Sequence, residues 1–243
     1  MIKGIYTSGS GMLPRILMQE IYANNLANGS TAGYKKDDVF LQQFAEAQKQ
    51  PGIITDLDWD TPMVDEVYID FEQGQLQKTE QTLDVGIKGD GFFVVNTPEG
   101  DRYTRGGEFN LTADGTLVDS SGYKVMGDTG PITITGDDIA INGEGTIYAD
   151  GSELAKLRVV DFQHPYNLRK ADEGYFVPEN AQDLPITALN YEIKQGFIEA
   201  SNVNTIDTMV DMLASFRAYE AGQKAIQTQD ETLDKAVNDV GRV

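Results

Sequence analysis

His164 is the chain's one histidine. An imidazole can serve as a general base or a metal ligand, but this one lacks the company either role needs. No G-x-S-x-G elbow occurs, so a serine triad has no nucleophile on a strained turn. One histidine cannot form a His-cluster metal site, and beside Pro165 it reads as a turn or surface residue. Asp56-Leu57-Asp58-Trp59-Asp60 has the alternating carboxylates that open a calcium loop. That loop requires Gly at its sixth position and Glu at its twelfth, where this chain has Thr61 and Val67. Gly89-Asp90-Gly91 is not a dinucleotide fingerprint, because no third glycine and no helix follow; it reads as a hairpin turn. Cysteine is absent, which removes disulfides, thiolate metal centres and cysteine nucleophiles together. The 39 carboxylates could supply a pair for glycoside hydrolysis. No two are set apart from the rest, so they read as a solvated acidic surface. The residue types therefore point to no catalytic residue, no cofactor and no metal.

Charge narrows the partners. The net charge over 243 residues is −20. Nucleic acid and anionic membrane surfaces reward clustered Lys and Arg, so neither is expected as a partner. Residues 1–50 carry five basic and four acidic side chains, and 196–243 carry four and eight; the middle, 51–195, carries ten and 27, a net of −17. Nearly neutral ends suit close packing against many neighbours, and an acidic middle suits solvent. No apolar run with a cleavage site follows Met1-Ile2-Lys3, so no signal peptide is expected. No stretch approaches the ~18 apolar residues of a spanning helix, so membrane insertion is not expected.

The elements that would hold these residues fall into two kinds. At the N-terminus, Ile5, Gly9, Met12, Ile16, Gln19, Ala23 and Leu26 alternate at spacings of four and three, a heptad seam. Gly9, Gly11 and Pro14 weaken that helix, so its firm part is expected to begin near Pro14 and to stop at Asn28-Gly29. At the C-terminus Asn204 is placed to cap a long helix, with Asp207 three residues on. Its seam runs Met209, Met212, Phe216, Tyr219, Gln223, Ile226, Asp230, Leu233, Val237 and Val240, with a second stripe of Ile206, Val210 and Leu213. A helix apolar on two faces must meet more than one neighbour. From Asn204 to Val240 it would be about 55 Å long. Between the ends the period changes to two. Short apolar runs at 85–88, 92–95, 102–104, 109–111, 116–118, 124–126, 139–141, 146–149 and 157–162 read as strands. They alternate with Asp90-Gly91, Glu99-Gly100, Asp114-Gly115, Ser121-Gly122, Glu144-Gly145 and Asp150-Gly151, which read as hairpin turns. The expected fold is α+β: terminal helices pairing as a coiled-coil domain, with an inserted antiparallel β domain. The expected divisions are 1–40, a connecting arm at 41–70, the β domain at 71–195, and 196–243.

Three blocks of residues resemble the flagellar rod and hook proteins, in the same order and across nearly the whole chain. The first is Asn24-Asn25-Leu26-Ala27-Asn28, with Thr31 and Gly33-Tyr34-Lys35. The second is Asp84-Val85-Gly86-Ile87-Lys88-Gly89-Asp90-Gly91-Phe92-Phe93, followed by Tyr103-Thr104-Arg105-Gly106-Gly107. The third is Gln195-Gly196-Phe197-Ile198-Glu199-Ala200-Ser201-Asn202-Val203, then Arg217-Ala218-Tyr219-Glu220. The resemblance implies a structural subunit of the basal-body rod, with an inner coiled-coil domain and an outer β domain, and with no reaction and no cofactor. It implies export through the flagellar type III apparatus without signal cleavage, and assembly in the periplasm with copies of itself and other rod proteins. The short 41–70 segment, without a Gly-rich extension, and Gly127–Ile134 look most like the proximal rod; a distal rod or hook subunit is the alternative within the family. A secreted carbohydrate-active β protein is the alternative outside it. The residues expected at the assembly interface are Asn24, Asn25, Leu26, Asn28, Gly33 and Tyr34; Ser201, Asn202 and Val203; and Met209, Met212, Phe216, Arg217, Tyr219, Ile226 and Leu233.

Overall fold

A computed structural model describes residues 2–43, 62–171, 174–180 and 182–240. They form two compact units. One comprises Met1–Ala27, Asp37–Asp70 and Asn204–Val243; the other comprises Asn28–Lys36 and Phe71–Val203. The Asp56–Asp60 run lies outside the described residues.

In the first unit, helix α1 (Ile2–Ala27) packs against helix α2 (Thr205–Val240). The helices run antiparallel. Ser215 Oγ donates to the Arg15 carbonyl at 3.1 Å, and further along α1 the Tyr22 hydroxyl feels the charge of Asp211. The expected weak start of α1 is not found, since the helix begins at Ile2 and runs through Pro14. A helical proline forfeits one backbone hydrogen bond. Here the ring is itself buried, at the head of a stripe continued by Met18, Ile21 and Asn25. That stripe also corrects the expected seam, whose Ile16 and Ala23 are exposed. On α2 the inward side comprises buried Ser215 and the half-buried Met212, Tyr219, Gly222 and Ile226. Small residues at Ser215 and Gly222 let the backbones approach, and a hydrophobicity-weighted seam overlooks such positions.

Asn204 caps α2 as expected. Its Oδ1 accepts the N–H groups of Ile206 at 3.1 Å and Asp207 at 3.4 Å, while its Nδ2 donates to Asp207 Oδ2 at 2.6 Å. Asn204→Ala should lower stability by about 0.5–2 kcal/mol. A urea midpoint unchanged by the substitution would show that the exposed end of α2 contributes nothing to the measured transition.

Residues 37–43 and 62–69 form an antiparallel ladder, Asp37–Gln43 with Pro62–Ile69, where the sequence shows no clean period. A register shift between Phe40 and Leu41 accounts for this, because a bulge breaks the period of two.

The second unit is almost entirely antiparallel β. Its largest sheet runs Leu168–Lys170, Phe176–Pro178, Gly100–Thr104, Phe92–Thr97, Lys124–Gly127, Leu117–Val118 and Asn110–Leu111 in spatial order. The first four residues of Phe92–Thr97 are buried, so that strand is covered on both faces there. Phe93 and Val95 enter a core with Val85, Ile87, Phe109, Val125 and Leu157, while Phe92 joins an aromatic cluster with Phe71, Phe162, Tyr166 and Phe176. Five of the six expected X-Gly turns close hairpins. Asp90-Gly91 does not. The strand before it, Val85–Gly89, pairs with Tyr191–Gln195, and the strand after it belongs to the large sheet. Gly89 and Gly91 both have positive φ and so serve a passage between sheets. Residues 196–203 follow the same pattern of long-range pairing, since Phe197–Glu199 pairs with Leu76–Lys78.

Candidate functional site

Three of the sequence blocks meet inside the β-rich unit. Gly33 donates its N–H to the Glu199 carbonyl at 2.7 Å. Its φ is +70°, and a Cβ there would collide with the backbone of Arg105 and Gly106, so only glycine fits. The chain then turns inward. Tyr34 is buried, with the Lys170 ammonium 4.1 Å from its ring centre. Next to it, the Lys35 ammonium pairs with Glu199 Oε1 and donates to the Glu72 carbonyl at 2.9 Å. Glu199 Oε1 also accepts the Gly74 N–H at 2.9 Å, and Glu199 Oε2 faces Arg105 Nη1 at 3.5 Å. Arg105 Nη2 donates to the Gly89 carbonyl at 2.6 Å, and its guanidinium lies 5.4 Å from the Phe92 ring centre. The Lys35 and Glu199 side chains are 1% and 0% exposed, and that of Arg105 5%. Asn202 extends the joint: its Oδ1 accepts the Lys36 N–H at 2.7 Å and its Nδ2 donates to the Glu72 carbonyl at 3.2 Å.

These contacts place several of the expected interface residues within the chain's own packing. Gly33 and Tyr34 are buried in the joint, with Asn202 half-buried beside it and Ser201 and Val203 half-buried next in sequence. In the helical unit Asn25 is buried, and its side chain bonds the Asp37 N–H at 2.9 Å and the Asp37 carbonyl at 2.7 Å. Leu26 and Asn28 are half-buried, and Asn24 is exposed. Lys35, Arg105 and Glu199 were not among the expected site residues. Their one sequence signal is that each is a charge embedded in a glycine-containing block.

The exposed side of the helical unit has a different chemistry. Ile206, Met209, Val210, Leu213 and Phe216 lie on one side of α2 and are 72%, 54%, 62%, 50% and 46% exposed. Leu13 and Ile16 on α1 are exposed as well. Of the remaining expected residues, Met212, Tyr219, Ile226 and Leu233 are half-buried, and Arg217 is exposed. A row of large apolar side chains left this exposed is unusual on the surface of a lone soluble chain. Burial, then the charges of Asp211 and Asp38, raises the Tyr22 hydroxyl above its ordinary value.

His164 sits on the surface of the β-rich unit, 4.0 Å from Asp161 and near Asp90. Its ring centre is 4.1 Å from that of Tyr166, whose hydroxyl donates to Asp161 at 2.9 Å. Burial and this bond push the Tyr166 hydroxyl well above the usual phenol range.

Comparison with known proteins explains why the blocks converge. Residues 5–35 match the family described as flagella basal body rod protein. Residues 86–149 match the flagellar hook protein FlgE/F/G D1 domain, and 194–239 the flagellar basal body rod FlgEFG protein C-terminal region. The basal-body rod protein FlgG of Buchnera aphidicola from Acyrthosiphon pisum is 32% identical over 256 aligned positions, covering 97% of this chain and 98% of that one. The chain belongs to the flagellar basal-body rod family. FlgG of Borreliella burgdorferi is 31% identical over 261 positions, and FlgF of Rhizobium meliloti 29% over 241, with 98% of both chains covered in each case. As a rod-family member the chain is a structural subunit of the basal body and not an enzyme. Each matched segment supplies one charge of the buried joint: Lys35 from the first, Arg105 from the second and Glu199 from the third.

Proposed function

We propose that the chain takes the proximal place in the rod, and that it assembles there with copies of itself and other rod proteins through the exposed apolar side of its helical unit. The stripe Ile206, Met209, Val210, Leu213 and Phe216 is the observation that carries the assembly reading. In this reading Met212, Tyr219 and Ile226 hold α2 on α1, and Leu233, Arg217 and Asn24 lie where a neighbouring subunit would meet them. The buried Asn25, Gly33 and Tyr34, with Asn202, act indirectly by fixing the shape that is presented.

The short 41–70 segment, without a Gly-rich extension, supports the proximal assignment. Export through the flagellar apparatus, without cleavage of a signal, follows from the resemblance of the three blocks to exported rod and hook subunits. The helical ends would line the inside of the tube and the acidic β-rich unit would face outward.

Amine labelling tests this orientation. In assembled rods Lys124, exposed on the β-rich unit, should react as readily as in the free chain. Lys224, exposed on α2, should become protected on assembly. The Lys170 ammonium is buried over Tyr34 and should stay unreactive in both states. Equal reactivity of Lys124 and Lys224 in assembled rods would refute the orientation.

A further inference from the structure

The β-rich unit carries two charged surfaces whose charges are left largely unanswered within the chain. The first is a basic pocket whose lining includes Thr97, Arg102, Tyr123, Arg169 and Tyr175. Arg102 pairs with Glu99 at the rim, while Arg169 is exposed and takes no part in an ion pair among the described residues. The rings of Tyr123 and Tyr175 meet edge to face, with centres 5.8 Å apart. Arg169 thus offers a planar fork that matches a carboxylate in two parallel hydrogen bonds. It does so in a segment, 51–195, whose net charge is −17. With Arg102 matched by Glu99, which also lines the pocket, Arg169 leaves one unmatched positive charge there, and on an acidic background that favours an anionic partner.

The second surface is an acidic corner on the three-stranded sheet Ile139–Ile141, Thr146–Ala149 and Ser152–Lys156. Asp137, Asp138, Asp150 and Glu153 are all exposed there. They are held together by backbone structure. The Asp150 N–H donates to the Asp138 carbonyl at 3.0 Å, the Asp138 N–H to Asp150 Oδ1 at 3.3 Å, and Glu153 lies opposite Tyr148. None of the four carboxylates takes part in an ion pair among the described residues.

We propose that the two surfaces meet between neighbouring copies of this chain, the pocket around Arg169 on one copy receiving the carboxylates of Asp137 and Asp138 on the next. The proposal rests on the reading of the chain as a polymerising subunit. The contact is heterologous, because two different patches meet, so a pair of copies keeps one free pocket and one free acidic corner and the contact propagates along an array. It also answers a cost of assembly. Copies whose outer segments each carry −17 repel one another, and a contact that brings arginine to carboxylate offsets part of that repulsion where the units touch.

The chain has no cysteine, so a new pair reports cleanly. Basal bodies are isolated from cells expressing the full chain with Asp138→Cys and Arg169→Cys together, and run without reductant. The proposal expects disulfide-linked multimers, absent from either single variant. Monomers alone, including a monomer with an internal disulfide, overturn it. A charge exchange gives a second reading. Arg169→Glu, and separately Asp137→Lys with Asp138→Lys, should each lower the amount of chain recovered in basal bodies by roughly threefold to tenfold, and all three together should restore it. A combined variant no better than its parents overturns the proposal. If the unaltered chain is absent from basal bodies, the rod reading fails and this contact with it; if it is present but gives no cross-link, this contact alone fails.

Discussion

Replacing Glu199 with alanine is expected to cost about 3–5 kcal/mol. The carboxylate is wholly buried and faces two cations, Lys35 and Arg105, while also accepting the Gly74 N–H. Removing it strands both positive charges away from water. The Lys35 ammonium would keep the Glu72 carbonyl and Arg105 the Gly89 carbonyl, which limits the damage without neutralising either charge. Taking two charges out of water is costly, so the pair itself need not add net stability. The decisive comparison is therefore between one partner removed and two. Lys35→Met with Glu199→Leu should be less destabilised than Glu199→Ala alone. Urea unfolding would show this as a midpoint that falls steeply for the single change and partly recovers for the double, at unchanged slope. Additive losses would mean that Lys35 and Glu199 are not coupled.

Phe216→Glu is expected to abolish incorporation into the rod while leaving the free chain's stability within about 0.5 kcal/mol, as for an ordinary surface substitution. Phe216 is 46% exposed and lies beside Met209 and Leu213 on the outward side of α2. In the free chain a carboxylate there stays in water. In an assembled tube it would be carried into an apolar contact and left without a partner, which is far more costly than the lost ring. Met212→Glu gives the contrasting pattern. That residue is half-buried on the side of α2 that meets α1, so the change should disturb the free chain as well. If Phe216→Glu lowered stability as much as Met212→Glu, Phe216 would belong to the intramolecular seam and the assembly surface would have to lie elsewhere.

The β strands and most of their turns could be read from the sequence because the information is local. A glycine with positive φ after a polar residue lets the chain reverse over two residues, and at Glu99-Gly100, Asp114-Gly115 and Asp150-Gly151 the flanking strands pair with each other. Asp90-Gly91 has the same local chemistry, but its two strands find partners elsewhere, and strand pairing is not a local property. The ladder between Asp37–Gln43 and Pro62–Ile69 escaped for a related reason, since its bulge hides the alternation that would announce it. In the helices the period was legible but the inward stripe was not. Hydrophobic weighting favoured Ile16 and Phe216, whereas the close contact is made by small or amide side chains such as Asn25 and Ser215. The joint was the least legible feature. Lys35 and Glu199 are 164 residues apart, and a charge inside a glycine-rich block gives no hint of its partner. The family resemblance marked those blocks but not their partners; the contacts within the chain pair Lys35 and Arg105 with Glu199.

The most direct test of the central claim is to isolate basal bodies from flagellated cells of the source organism and locate a tag on this chain by electron cryomicroscopy. The tag belongs at the Ala113-Asp114 turn, which is exposed, remote in sequence from both helices, and no part of the pocket around Arg169 or of the acidic corner. The account predicts that the chain co-purifies with the rod and that density for the tag lies on the outer face of its proximal segment. Basal bodies with complete rods that lack the chain would contradict it.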